Sequence, residues 1–476
     1  MSDNNEIGPN PAGTILLLAA CIIGYFLSTM EETSSKMAGQ VSMVLLGAIA
    51  ISFLFDMKAG IRNLIRVDIF ALIAFYFLTF FEFLFPQSKF DLLVIPENVI
   101  TATQLTLLGF ATIVVGRHIN LFPRRWLEPI GAVRIRDGDF LVIYLGATFL
   151  NFLPMFLAVD FNPVTWFNEL LEPRFTQPWS RGRYGSLATL LNELKLLGYV
   201  MPPLAGVIFA RRKHYKLVSL VVVALTMLML YFVAFAGGTR NVLAIQLAGL
   251  LGGYFVIQPK IRLVPMVITV LAIGASFLYL AERMLEFREM GLRRYVEGGY
   301  YQSGYREIAD TYLAGAYEQQ EDSGYMVDYN LWRISQMVAA FPEQYDYIGF
   351  NMPYVAITKP IPRAFWPGKP KDLKVGLEEV VGAEGYTVAC TWMGEAFIAG
   401  GVLWIVGVGL LIGAFCCFWN GLATYIHSAF PLIVFASGFY AVLLLMRSLM
   451  FFTTALLPSI ALIIMGLIVY KTRGVE

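Results

Sequence analysis

The sequence predicts an all-α polytopic membrane protein with about twelve transmembrane helices and one large, mostly helical external loop packed on them as a cap. Three observations predict it. Hydrophobic residues make up 58% of the 476 and charged residues only 14%, with a mean hydropathy of +0.65, which is too apolar for a chain surrounded by water. Apolar runs of about twenty residues, the length that crosses a hydrocarbon core, recur along the chain. Between Ala281 and Thr391 they stop for roughly a hundred polar, aromatic-rich residues, which cannot cross and so must fold at one surface.

In chain order the candidate spans are 13–30, 37–55, 67–86, 98–116, 139–160, 186–210, 217–236, 242–258, 263–281, 391–417, 430–446 and 451–470. The run at 242–258 is short, and the run at 391–417 is long and interrupted by Gly400-Gly401. Basic residues cluster on alternate links: Lys58, Arg62 and Arg66, then Arg117, Arg124, Arg125, Arg134 and Arg136, then Arg211, Arg212, Lys213 and Lys216, then Lys260 and Arg262, and last Lys471 and Arg473. The opposite links are short and carry single cations such as Lys36 and Lys89. The positive-inside rule therefore predicts cytoplasmic N- and C-termini and places the long interruption outside. Three regions follow: residues 1–281 as a bundle of about nine helices with an external segment at 161–185, residues 282–390 as the cap loop, and residues 391–476 as C-terminal transmembrane helices. No fixed-period repeat and no pair of inverted halves is visible. The first apolar run is expected to be a retained helix, since it lacks a clear small-residue cleavage site.

Ionisable residues in or beside the spans are the first functional candidates, because each is costly in lipid without a cavity or a partner. They are Glu82, Glu193 with Lys195, Arg240, Glu395, His427 and Arg447. Threading places Arg240, Glu395 and Arg447 near the external face and His427 on the other side. Gly237-Gly238-Thr239-Arg240-Asn241 joins two apolar runs; it reads either as a tight reversal presenting N–H groups and a guanidinium to an anion, or as a plain turn with a snorkelling arginine. Arg181-Gly182-Arg183-Tyr184-Gly185 admits the same pair of readings, with arginines suited to phosphate oxygens and aromatic rings to sugar faces.

In Pro360-Ile361-Pro362-Arg363-Ala364-Phe365-Trp366-Pro367-Gly368-Lys369-Pro370 the prolines predict an extended segment that projects Arg363, Lys369 and Lys371 as a cationic row around Trp366; a rigid linker back into the membrane is the alternative. Glu395, one turn inside the next run, reads as a general base or as the partner of an arginine. Cys21, Cys390, Cys416 and Cys417 read as small hydrophobes. Phosphate-loop, dinucleotide and His-Glu-x-x-His motifs are missing, so no metal or other cofactor is expected.

Taken together, Pro362-Arg363, Trp366-Pro367, Lys369-Pro370, Gly394-Glu395, Arg183-Tyr184-Gly185 and Gly238-Thr239-Arg240 resemble the bacterial oligosaccharide-repeat-unit polymerases, the Wzy-type O-antigen polymerases. The plan of many spans with one large late periplasmic loop is similar over most of the chain. The resemblance implies a GT-C-like glycosyltransferase of the inner membrane, acting in polysaccharide and lipopolysaccharide biosynthesis. Its donor and acceptor would be undecaprenyl-diphosphate-linked oligosaccharides, with membrane lipids and a chain-length regulator protein as further partners, no nucleic acid and no metal. Arg183, Arg240, Arg363 and Arg447 would then hold the diphosphate with help from Arg181 and Lys369, Trp366 and Tyr184 would carry sugars, and Glu395, Arg363 and Arg240 would act at the reacting centre. An O-antigen ligase, a related transferase with a monophosphate donor and a flippase or exporter of lipid-linked sugars are the alternatives.

Overall fold

The computed structural model describes residues 7–30, 33–174, 176–179, 191–258, 261–287, 290–297, 329–363, 365–370, 373–381, 389–426 and 428–473. Every regular element among them is helical. The principal helices are α1 (Pro11–Leu27), α2 (Ser34–Met57), α3 (Val67–Thr79), α4 (Pro96–Gly116), α5 (Asp137–Leu157) and α6 (Pro163–Leu170). Then come α7 (Leu191–Ala210), α8 (Leu217–Ala236), α9 (Arg240–Val256), α10 (Leu263–Phe287), α11 (Asn330–Ala340), α12 (Asn351–Thr358), α13 (Thr391–Asn420), α14 (Ala429–Arg447) and α15 (Phe452–Arg473). Nine helices among the described residues are long and apolar enough to cross a membrane, and three shorter apolar helices, α1, α3 and α9, pack among them. The protein is thus a multi-pass helical membrane protein, the class in which each helix meets its own backbone hydrogen bonds.

Local sequence starts these helices where hydropathy alone would not. Asn10 caps α1 by accepting from the Ala12 N–H at 2.9 Å, with Pro11 at the first helical position. Asn162 does the same for α6, accepting from Val164 and Thr165 at 3.0 and 3.1 Å. The expected span at 67–86 is shorter, because α3 ends at Thr79 and a 3-10 turn, Phe81–Leu84, follows. Helix α10 overruns the expected bundle boundary at 281 and continues to Phe287. Met284 and Phe287, one turn apart, pack with Met290 against Ala234 of α8 and Leu243 of α9, so the charged stretch that follows span 263–281 starts as helix held on the bundle.

Helices α4 and α13 form the centre. Trp392 is fully buried there, 5.4 Å ring to ring from Phe75 of α3, which stacks at 4.5 Å on Phe110 of α4. Small residues bring the backbones together. A Cβ on Gly413 would stand 2.5 Å from the Arg117 nitrogen and 2.6 Å from the Ile113 oxygen. Gly413→Val is therefore expected to separate the two helices and lower stability by about 1–3 kcal/mol, read as a fall in thermal midpoint in detergent. An unchanged midpoint would show that α4 and α13 do not rely on this approach.

Helix α13 breaks at Gly400-Gly401, where the sequence places an interruption. Gly401 has φ 68°, ψ −150°, a conformation that side chains resist. The break leaves carbonyls without helical partners, and the chain before α12 takes them: the Ile348 N–H donates to Ile398 O at 3.0 Å and the Gly349 N–H to Ala399 O at 2.8 Å.

The bundle has two distinct ends. At one, Arg66, Asp56, Asp68 and Arg117 are all buried and joined by ion pairs of 3.0, 2.9 and 3.5 Å, with Asn420 of α13 donating to Asp68 at 2.7 Å. Burial opposes the charge on Arg66, but Asp68 and then Asp56 outweigh it, so the guanidinium is held above the ordinary arginine range. At the other end, α11 is pinned by Asn330, whose amide donates to Leu78 O at 2.8 Å, and by the Tyr329 hydroxyl, which donates to Gln87 at 2.6 Å. Helix α12 lies there too, with Ala356 O accepting from the Thr453 hydroxyl of α15.

Candidate functional site

A cavity of about 260 Å³ lies at the α11–α12 end of the bundle, between α5, α7, α8 and α9 and under the segment that follows α6. Two cations line it, Arg174 from that segment and Lys195 from α7. Lys195 donates to Trp179 O at 2.7 Å, which ties the external segment to the helix. Tyr199 adds an aromatic wall and stacks on Tyr440 of α14 with ring centroids 3.9 Å apart.

Carboxamides complete the lining. Asn151 of α5 and Gln246 of α9 are both buried, and Asn151 Nδ2 and Gln246 Oε1 have no hydrogen-bond partner among the described residues. Gln246 lies six residues into α9, roughly 9 Å along the helix from its start. A donor and an acceptor therefore stand unsatisfied below a cationic rim, each a standing cost that a polar ligand would relieve.

The helices place these groups for traceable reasons. The reversal between α8 and α9 is tight because Gly238 adopts φ 60°, and Thr239, whose hydroxyl donates to Ala234 O at 2.9 Å, faces the cavity from it. Arg240 is the first residue of α9, half-buried, at the cavity edge beside Thr239. A Cβ on Gly198 would stand 2.5 Å from Asn151 Oδ1, so the missing side chain leaves the amide its room.

The proline segment is compact, and the expected extended cationic row is corrected. Trp366 N–H and Phe365 N–H both donate to Pro362 O, at 3.2 and 3.0 Å, and Lys369 N–H to Trp366 O at 3.1 Å, which folds the segment into consecutive turns. Arg363 clamps it by donating to Lys369 O at 2.6 Å and Pro370 O at 2.8 Å, and Lys369 Nζ donates to Lys359 O and Ile361 O at 2.8 Å each. Prolines fix φ near −65°, which suits turns as well as extended chain, and the acceptors that decide between them are backbone carbonyls. Partial burial lowers the Lys369 ammonium's pKa, Arg363 and Lys359 lower it further, and Glu193 opposes them.

This clamp has a measurable consequence. Arg363→Ala is expected to speed proteolytic cleavage within 359–370 about tenfold or more, since two charge-assisted bonds of ~1.5–3 kcal/mol are lost. The global thermal midpoint should barely move; an unchanged cleavage rate would show that the prolines alone hold the turns.

Glu395 occupies a different place. Its Oε1 accepts from the Ser448 hydroxyl at 2.6 Å and its Oε2 from the Met450 N–H at 3.1 Å, and the side chain is buried. The carboxylate thereby caps the turn that joins α14 to α15 from a neighbouring helix. Arg447, the last residue of α14, is half-buried beside that turn and makes no ion pair among the described residues. Trp366 is half-buried in the proline turns. Arg181, Arg183, Tyr184, Lys371 and His427 lie outside the described residues.

Three groupings emerge: Arg240 beside the cavity, Arg363 with Lys369 in the braced proline turns, and Glu395 with Arg447 at the α14–α15 turn. Sequence reasoning placed Lys195 among the ionisable candidates without giving it a ligand role, and Arg174 and Trp179 were not among the selected candidates. The signal was present in Lys195, a cation inside an apolar run; Asn151 and Gln246, ordinary carboxamides within long apolar helices, gave weaker notice. Among the described residues no group of three His, Cys, Asp or Glu side chains is placed to hold a metal ion.

Fold and site together define a multi-pass helical membrane protein with a polar, cationic cavity at one end of its bundle. No protein-family model, curated protein or solved structure matches the chain.

Proposed function

We propose that the chain is an inner-membrane glycosyltransferase that polymerises undecaprenyl-diphosphate-linked oligosaccharide repeat units on the periplasmic side of about twelve transmembrane helices. The observation that carries this reading is the cavity that combines two cations, an aromatic wall and unsatisfied carboxamides at the bundle end bearing the long polar loop. Arg174 and Lys195 suit a diphosphate, and Asn151 and Gln246 below them suit sugar hydroxyl or amide groups.

In the reaction, an acceptor hydroxyl attacks the anomeric carbon of the donor chain while that carbon's bond to the diphosphate oxygen breaks. The electron pair stays with the diphosphate, where Arg174 and Lys195, with Arg240 at the cavity edge, meet the developing charge. Arg181, Arg183 and Arg447 as further phosphate ligands, and Tyr184 and Trp366 as sugar platforms, are roles that rest on the sequence resemblance alone. The hydroxyl proton passes to a carboxylate: Glu193 is two residues from the cavity's Lys195, and Glu395 holds the turn that carries Arg447. Arg363 and Lys369 act by fixing the proline turns, and a chain-length regulator would bind from the periplasmic side.

The test is reconstitution of the purified protein in liposomes with a lipid-diphosphate oligosaccharide. Longer lipid-linked chains support polymerisation. Transfer to lipid A would identify a ligase instead, and movement of unaltered substrate between leaflets a flippase.

A further inference from the structure

Helix α12 and the turns after it carry a row of apolar side chains that stand exposed among the described residues. Phe350 is 82% exposed, Ile357 65% and Phe365 74%, with Tyr354 and Ile361 between them also exposed. Residues 350, 354 and 357 follow the i, i+4, i+7 spacing of a single helix face. The opposite face is buried against the bundle through Met352, Val355 and Ala356. A ridge of this length is unusual on a surface meant for water.

Its surroundings say what covers it. Phe350 packs edge-on against Trp404 of α13, with ring centroids 5.3 Å apart, and the preceding residue on that helix, Leu403, is 83% exposed within an apolar candidate span. The ridge therefore continues the surface that a membrane-crossing helix presents to lipid. Two backbone bonds hold it at that depth, from Ile348 and Gly349 to the carbonyls freed at the α13 break. On the other side, Glu343 and Asp346 are exposed, which marks where water begins. Lys359, whose ammonium lies 4.8 Å from the Phe451 ring, Arg363 and Lys369 follow the ridge and place cations beside it.

We propose that α12 and the proline turns lie in the membrane interface, with Phe350, Tyr354, Ile357, Ile361 and Phe365 inserted among lipid acyl chains and the neighbouring cations at headgroup level. An amphipathic helix of this kind buries its apolar face ~5–10 Å into the boundary between headgroups and acyl chains. This described part of the loop is then an interfacial element held at a fixed height, independent of the reaction catalysed. Cations next to an inserted ridge also favour anionic headgroups over neutral ones.

Spin labels at single introduced cysteines, read in liposomes by accessibility to oxygen and to a water-soluble nickel chelate, test this; signal from the native cysteines is subtracted using unmodified protein. Labels at Phe350→Cys and Ile357→Cys should favour oxygen over nickel severalfold, as at Leu403→Cys, while Glu343→Cys and Asp346→Cys favour nickel. Nickel preference at both ridge positions would overturn the proposal. So would exclusion of both reagents with spin–spin broadening, which would mean a second copy of the chain covers the ridge. If Phe350→Cys does not fold, Tyr354→Cys with Ile357→Cys decides the matter.

Discussion

Replacing Asp68 by alanine is expected to cost about 3–5 kcal/mol, the range measured when one member of a buried ion pair is removed. The reason is local. Arg66 uses all five of its N–H donors: Nε and Nη2 fork onto the two Asp68 oxygens at 2.9 Å each, Nη2 also reaches Asp56 at 3.0 Å, and Nη1 donates to Gly8 O at 2.8 Å and Asn63 O at 3.2 Å. Asp68 further faces Arg117 and accepts from Asn420. Without it, two buried guanidiniums share the single carboxylate of Asp56, and three helices lose their common contact. Folded yield and thermal midpoint in detergent should both fall sharply, whereas Arg66→Met with Asp68→Leu, which removes the fork from both sides, should recover part of the loss. A single mutant as stable as the parent would show that water reaches this cluster.

If the chain is the polymerase proposed above, Arg174→Gln and Lys195→Met are each expected to reduce lipid-linked chain elongation about 10- to 100-fold, from the loss of a charge-assisted bond of ~1.5–3 kcal/mol to the diphosphate. The two differ in their side effects. Lys195 also holds Trp179 O, so its loss loosens the external segment, while Arg174→Gln keeps a polar side chain in place. If the cavity binds the diphosphate, both variants should weaken substrate binding measured without turnover; normal binding and normal elongation in Arg174→Gln would remove the cavity from the site. Gln246→Leu, which deletes an unsatisfied acceptor, should weaken binding without lowering stability.

The spans were legible because crossing a hydrocarbon core demands long apolar runs, and the helices observed at 34–57, 96–116, 137–157, 217–236 and 429–447 lie where hydropathy puts them. The α13 break was legible in its paired glycines. Other features depend on partners far away in the chain. The cavity unites Asn151, Arg174, Lys195 and Gln246 from four segments, and no spacing rule connects them. Glu395 was read as a general base or as an arginine's partner because a carboxylate in an apolar run is expensive, and the groups that satisfy it, a hydroxyl and an N–H, lie more than fifty residues on. The proline segment misled for a related reason: Arg363 and Lys369 were read as cations facing outwards, but their nearest acceptors are carbonyls of their own loop.

The broken helix α13 bears on how the cap can move. Lifting residues 348–349 would strip the Ile398 and Ala399 carbonyls of their donors in a place where water is scarce, at several kcal/mol for each group. A hinged lid at that point would have to overcome this penalty on every opening. The segment is instead fastened like a rivet, so on the proposed function any admission of substrate would not involve its lifting.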